Sequence, residues 1–132
     1  MEPYALMLRT DPDDKYLTES TMAEIGNTIP VRFIGDIKEL DTVITEAGEP
    51  AVILMNDRGA IHSGNEVLKQ IKTNPSYAHI PVVVLGEVST DDYIRDCYRS
   101  GANTFITKPS TIAATRKKIE TFFRYWFDVA EV

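Results

Sequence analysis

Two runs in this chain, Ala51-Val52-Ile53-Leu54-Met55 and Val82-Val83-Val84-Leu85, are apolar at every position. A strand with one wet face alternates apolar and polar residues; a strand covered on both faces does not. Both runs are far shorter than the roughly 18 residues of a membrane span. They predict parallel strands with helices packed on both sides.

Three further short runs, Tyr4–Leu8, Val31–Ile34 and Thr104–Ile106, are separated by segments that carry helix signals. Asp11 before Pro12 reads as an N-cap and first-turn pair. Asp13 and Asp14 follow where the helix dipole favours negative charge. Asp36 with Glu39 forms a capping box, and Gly48 closes that helix. Ser63 with Glu66 repeats the box. Ser89 or Thr90 caps a fourth helix that ends at Gly101, and a fifth begins near Ser110. Strands thus alternate with helices five times in 132 residues, a length that suits one domain spanning 1–132.

The charge balance narrows the function. Twenty acidic residues against 14 basic ones give a net charge of −6. That counts against general binding to nucleic acid or to an anionic membrane. A single cysteine, Cys97, excludes an internal disulfide and a cysteine metal cage. The start, Met1-Glu2-Pro3, lacks a basic leader, so a cytoplasmic location is expected. His62 and His79 have no ligand spacing and are expected in solvent.

In doubly wound sheets, function lies at the carboxyl ends of the strands. Those positions are Arg9, Thr10 and Asp11; Asn56 and Asp57; Gly86 and Glu87; and Thr107 and Lys108.

Over nearly its whole length the chain resembles a response-regulator receiver domain. Four segments carry the resemblance. Pro50–Met55 with the loop to Gly64, followed by Glu66-Val67-Leu68-Lys69-Gln70-Ile71-Lys72, is similar to the third strand and third helix. Ile80–Leu85 is similar to the fourth strand. Gly101-Ala102-Asn103-Thr104-Phe105-Ile106-Thr107-Lys108-Pro109 is similar to the fifth strand and its Lys-Pro turn. The expected fold is therefore a (βα)5 doubly wound parallel sheet of order 2-1-3-4-5, flavodoxin- or receiver-like.

The resemblance also implies a site from which this chain departs. An active receiver takes phosphate on an aspartate ending strand 3 and holds Mg2+ with two acidic residues after strand 1. A Ser or Thr after strand 4 and a Lys after strand 5 contact the phosphoryl group. Here the acidic pair falls on Arg9 and Thr10, the acceptor on Asn56 and the hydroxyl position on Gly86. Only Lys108 matches. The aromatic switch position is Phe105, which has no hydroxyl, and the usual loop proline is Ala60. A net negative site that attracts a divalent cation becomes net positive, so no metal and no cofactor are expected.

Several residues keep two readings. Asp57 is read as a loop carboxylate pairing with Arg58 or Arg9, in preference to an alternative phosphoacceptor. Asp11 is read as a cap in preference to a metal ligand. Arg9 is either a solvated strand-end residue or a stand-in for the metal. Lys108 is expected to reach the Asn56 carboxamide across a cis Lys108-Pro109 bond, or to be an ordinary turn lysine. Cys97, on one stripe with Tyr93, is read as a packed thiol.

The final helix carries Phe122, Phe123, Tyr125, Trp126 and Phe127, more aromatic surface than one buried stripe holds. Phe123, Tyr125, Trp126 and Phe127 are the candidate interface, and the aromatic ending resembles receivers that dimerise through helix 4, strand 5 and helix 5. Acidic residues on helix 4 (Asp91, Asp92, Asp96) and basic ones on helix 5 (Arg116, Lys117, Lys118) could pair across a two-fold axis. The expected function is a stand-alone degenerate receiver, not an enzyme. With no output domain after the last helix, it would act by phosphorylation-independent binding to another signalling protein, a sensor kinase or a regulator, and as a homodimer. The alternatives are a receiver phosphorylated at Asp57 and a flavodoxin-like cofactor binder. The latter lacks a phosphate loop, because Arg9-Thr10-Asp11-Pro12 stands in its place.

Overall fold

A computed structural model describes residues 3–26, 28–57, 64–87 and 90–130. Along the chain run β1 (Ala5–Leu8), α1 (Pro12–Glu24), β2 (Val31–Ile34), α2 (Leu40–Ala47), β3 (Val52–Asp57), α3 (Gly64–Thr73), β4 (Val82–Gly86), α4 (Asp91–Arg99), β5 (Thr104–Thr107) and α5 (Ile112–Arg124). The strands form one parallel sheet of order β2-β1-β3-β4-β5, as expected from the sequence.

Two cores flank the sheet, because alternate residues of each strand point to opposite faces. Leu6, Leu8, Ile53, Met55, Val82 and Val84 pack under α2, α3 and α4, with Leu68, Ile71 and Cys97. Ala5, Met7, Val52, Leu54 and Val83 pack under α1 and α5, with Met22, Phe122 and Phe123. This division explains why the two central runs are apolar throughout.

The caps act as read from the sequence. The Asp11 carboxylate accepts from the Asp14 N–H at 2.8 Å and starts α1. Asp36 and Glu39 form their reciprocal box over a short 3-10 turn, Ile37–Glu39, ahead of α2. Thr90 caps α4, and Thr111, one residue beyond Ser110, caps α5. Ser63 and Ser89 lie outside the described residues. After Arg124 the last helix widens into a π-turn over Tyr125–Val129.

Two strand boundaries differ from the sequence reading. Tyr4 lies outside β1, its hydroxyl donating to the Gly48 carbonyl at 2.6 Å. β3 runs two residues further than the apolar run, through Asn56 and Asp57, because β4 pairs with it there: Asn56 faces Leu85, and Asp57 faces Gly86. A polar side chain does not end a strand when a neighbouring strand still accepts its backbone hydrogen bonds.

Candidate functional site

The strand ends bring together all four groups of residues that the sequence singles out. At the end of β1 the chain bends at Arg9, whose φ of 63° is the left-handed conformation that side chains with a Cβ rarely adopt. The Arg9 N–H still donates to Ile34 at 3.0 Å, so the bend begins immediately after sheet pairing ends. Thr10 and Asp11 follow and lead into α1.

Asn56 and Asp57 point to opposite faces of the sheet. Asn56 shares its face with Leu54 and lines a small cavity with Thr10, Asp14, Leu85 and Thr115. It is buried; its amide nitrogen donates to the Arg9 carbonyl at 3.4 Å, while Oδ1 has no partner among the described residues. Asp57 is buried on the α4 side, where its carboxylate accepts a hydrogen bond from the Tyr93 hydroxyl. The reading of Asp57 as a loop carboxylate is thereby corrected: extension of β3 carries it into the core. Burial, then the bond to Asp57, raises the Tyr93 pKa, and the positive charge of Arg9 opposes that rise. Arg9 therefore acts electrostatically on the Asp57–Tyr93 pair.

Gly86 leaves room for an aromatic ring. A Cβ added there would meet Phe105 Cζ at 2.4 Å and Cε2 at 2.9 Å. The Phe105 ring also meets Tyr93 edge-to-face, with centroids 6.1 Å apart. Asp57, Tyr93, Phe105 and Gly86 thus form one connected strip from β3 through α4 to β5 and β4.

Lys108 lies within ion-pair range of three carboxylates. Its Nζ is 2.8 Å from Asp14 Oδ2, 3.8 Å from Glu87 Oε1 and 3.9 Å from Asp11 Oδ2. Burial alone would lower its pKa, but the hydrogen bond to Asp14 and the charges of Asp14, Asp11 and Glu87 outweigh burial and raise it. The Lys108 ammonium does not bond Asn56, whose oxygen has no partner among the described residues. The Lys108-Pro109 bond is trans, not cis. The geometry corrects both expectations; the Lys108 ammonium bonds the Asp14 carboxylate on the first turn of α1, a full counter-charge where the Asn56 amide carries none. Asp14 was legible in the sequence only as a dipole partner. Its signal was the i, i+3 spacing from Asp11, which puts both at one end of α1.

No protein-family model matches the chain. Over 77 residues it is 34% identical to the "Probable methanogenesis regulatory protein FilR2" of Methanothrix harundinacea, covering 58% of this chain and 50% of that protein. Over 79 residues it is 30% identical to the response regulator Rcp1 of Synechocystis, covering 60% of this chain and 54% of that one. The chain therefore spans about half the length of these curated relatives. The crystal structure of the phosphorylated cyanobacterial phytochrome response regulator RcpA superposes with a TM-score of 0.81 at 25% identity, covering 98% of this chain and 97% of that one. The chain has the fold of response-regulator receivers and is similar to response regulators in sequence over about 60% of its length.

In receiver terms, the metal-binding half of the site does not fit Mg2+. That ion needs several hard, anionic oxygens in octahedral order. This chain offers Arg9 and Thr10 at the positions that are acidic in receivers, and a neutral amide at Asn56. Asp11 caps α1, and Asp14 is bonded to Lys108. Among the described residues no three acidic, histidine or cysteine side chains converge as metal ligands. The expectation that the pocket is net positive needs correction, however. Asp11, Asp14 and Glu87 all stand within 3.9 Å of the Lys108 ammonium, so carboxylates outnumber Arg9 and Lys108 there. What disfavours the cation is which groups the carboxylates already hold, not a shortage of negative charge.

The interface candidates separate. Phe123 is 1% exposed and belongs to the core, which corrects its reading as an interface residue. Trp126 and Phe127 are half-buried against the same core, whereas Tyr125 is 51% exposed. Beside β5 lies a groove of about 500 Å3 whose lining includes Ile106, Lys118, Phe122, Tyr125 and Trp126. Much of the charge available for two-fold pairing is committed within the chain. Arg116 bonds Glu24, Lys118 donates to the Thr107 carbonyl, and Arg95 and Arg99 pair with Asp92 and Asp96. His79, in solvent as expected, pairs with Glu49 at 2.8 Å, and Cys97 is buried. Arg58, Ala60 and His62 lie outside the described residues. Among those described, no helix is long and apolar enough to cross a membrane.

Proposed function

We propose that this receiver is degenerate: a protein–protein interaction module of two-component signalling that works without phosphorylation. One observation carries the reading. The residue at the acceptor position is a buried carboxamide, and the lysine that would meet a phosphoryl group is bonded to Asp14 instead. An amide oxygen is a poor nucleophile toward phosphorus, and phosphoryl transfer depends on positioned charge that is committed elsewhere here. Asp57, the alternative acceptor, is buried on the other face of the sheet and receives the Tyr93 hydroxyl.

The strip from Asp57 to Gly86 supports a single, permanent arrangement of the α4–β5–α5 surface. The Phe105 ring fills the space beside Gly86, and Tyr93 ties α4 to the end of β3. With no hydroxyl at either Gly86 or Phe105, no phosphoryl group has a handle on that surface. Its exposed Tyr98 and Tyr125, with the groove beside β5, suit a constitutive contact with a second copy, or with a sensor kinase or regulator. On this reading the protein acts in the cytoplasm, has no enzymatic activity and needs no cofactor.

The test is incubation of the full chain with acetyl phosphate and Mg2+, followed by intact-mass measurement. The expected spectrum is unchanged. A phosphoryl adduct that Asp57→Asn removes would instead establish the active-receiver alternative.

A further inference from the structure

The groove between β5, an edge strand of the sheet, and the end of α5 has the size of a small-molecule site, about 500 Å3. Ile106 and Phe122, both packed on the α1–α5 core, give it an apolar floor. Tyr125 and Trp126 add two rings, edge-to-face with centroids 5.2 Å apart. Those rings stand where α5 gives way to the π-turn, which the Ala130 N–H closes on the Tyr125 carbonyl at 2.7 Å. Such turns are rare within helices and recur at functional sites.

The floor is able to adapt. Ile106, Lys118 and Phe122 also line a second, smaller cavity of about 40 Å3, together with Met7, Leu54 and Leu85. Side chains that border empty space have room to shift when a ring settles on them, which a close-packed wall does not allow.

Charge selects the ligand. Among the described residues that line the groove, Lys118 alone is charged. Its ammonium has three hydrogens and gives one to the Thr107 carbonyl at 2.9 Å, which leaves two for a ligand. The Thr121 hydroxyl spends its hydrogen on the Lys117 carbonyl at 2.8 Å. On the same helix Arg116 and Arg124 are paired with Glu24 and Glu120. The groove thus sets one cation beside aromatic and aliphatic surface, in a chain whose net charge is −6.

We infer that this groove binds a small arylalkyl carboxylate. The ring lies on Ile106 and Phe122 against Tyr125 and Trp126, and the carboxylate accepts from the Lys118 ammonium. A neutral ring would leave that ammonium unmet, and an inorganic anion would make no use of the apolar floor. Charge-assisted bonds of this kind are the stronger ones, so the acid is preferred over its amide.

The experiment titrates the full chain with 3-phenylpropanoate and, separately, with 3-phenylpropanamide. Trp126 is the chain's single tryptophan, so its fluorescence and its indole N–H resonance report on the groove directly. The expected result is a saturable change at Trp126 with a Kd on the order of 1 mM, as suits a ligand of this size. The amide should bind roughly two- to fivefold more weakly, the worth of one exposed ion pair. Lys118→Gln, which keeps a donor for the Thr107 carbonyl but loses the charge, should bring acid and amide to equal affinity. No saturable change at Trp126, equal binding of acid and amide to the wild type, or an undiminished preference for the acid in a folded Lys118→Gln each overturn the inference. Should Lys118→Gln fail to fold, the comparison of acid with amide on the wild type decides. Neither acetyl phosphate nor Mg2+ is present, so the outcome is independent of whether the protein accepts phosphate.

Discussion

The Phe105 ring occupies the space that a side chain on Gly86 would need, with Cζ 2.4 Å from where that Cβ would stand. The two positions are complementary: absence of a side chain on β4 is matched by presence of a ring from β5. The missing hydroxyl at Gly86 is therefore part of the packing and more than a lost chemical group.

Gly86→Ala should accordingly destabilise the protein by about 1–3 kcal/mol, the usual cost of overpacking. The same substitution in a Phe105→Ala background should cost clearly less, since the ring is gone. Urea denaturation of the four proteins measures the coupling. Equal costs in both backgrounds would mean that the ring moves aside freely.

Asn56→Asp should neither restore phosphorylation nor help folding. It places a buried carboxylate beside Asp14 while Lys108 is already engaged. The cost is on the order of 1–3 kcal/mol at neutral pH, because a buried charged group is left without a donor. Protonating the new carboxyl removes that charge, so the difference from wild type should shrink as pH falls. Thermal melts of both proteins across the acid range provide the check, and a difference that grows toward acid would contradict it.

Burial raises the Cys97 pKa from 9.0 to about 11, with the charges of Asp57 and Asp96 adding to the effect. The folded state thus holds this proton more tightly than the unfolded state. Its contribution to stability is complete below pH 9, where both states are protonated. It declines as pH rises from about 9 to about 11, where only the unfolded thiol ionises. Cys97→Ala should lose less stability than wild type over that window. In the native protein the thiol should react slowly with alkylating reagents at pH 8. Rapid native-state labelling would show that α4 opens readily.

Self-association should not depend on acetyl phosphate. Sedimentation of the untreated protein at micromolar concentration is expected to show a dimer. Tyr125→Asp, a charge placed on a half-exposed aromatic, should shift it to monomer while leaving the far-UV spectrum unchanged. A biological contact needs roughly 1,000 Å2 of buried surface. A monomer in the untreated wild type would assign the Tyr125 face to a different protein.

The sheet, its order and most helix caps were legible in the sequence because they depend on local chemistry. Unbroken apolar runs require cover on both faces, and Asp11, Asp36 and Thr90 cap helices through bonds to residues only two or three positions away. The departures at Arg9, Thr10, Asn56 and Gly86 were legible for the same reason, since each is a matter of residue type at a strand end. Which partner each group takes was not. Lys108 and Asp14 are 94 residues apart, and Asp57 and Tyr93 are 36 apart. Periodicity cannot rank such pairs, because the outcome depends on distances of a few ångströms set by how α1 and α4 seat on the sheet. Likewise the aromatic cluster of the last helix announced excess apolar surface. Only packing against the α1–α5 core decided that Phe123 is inside and Tyr125 outside.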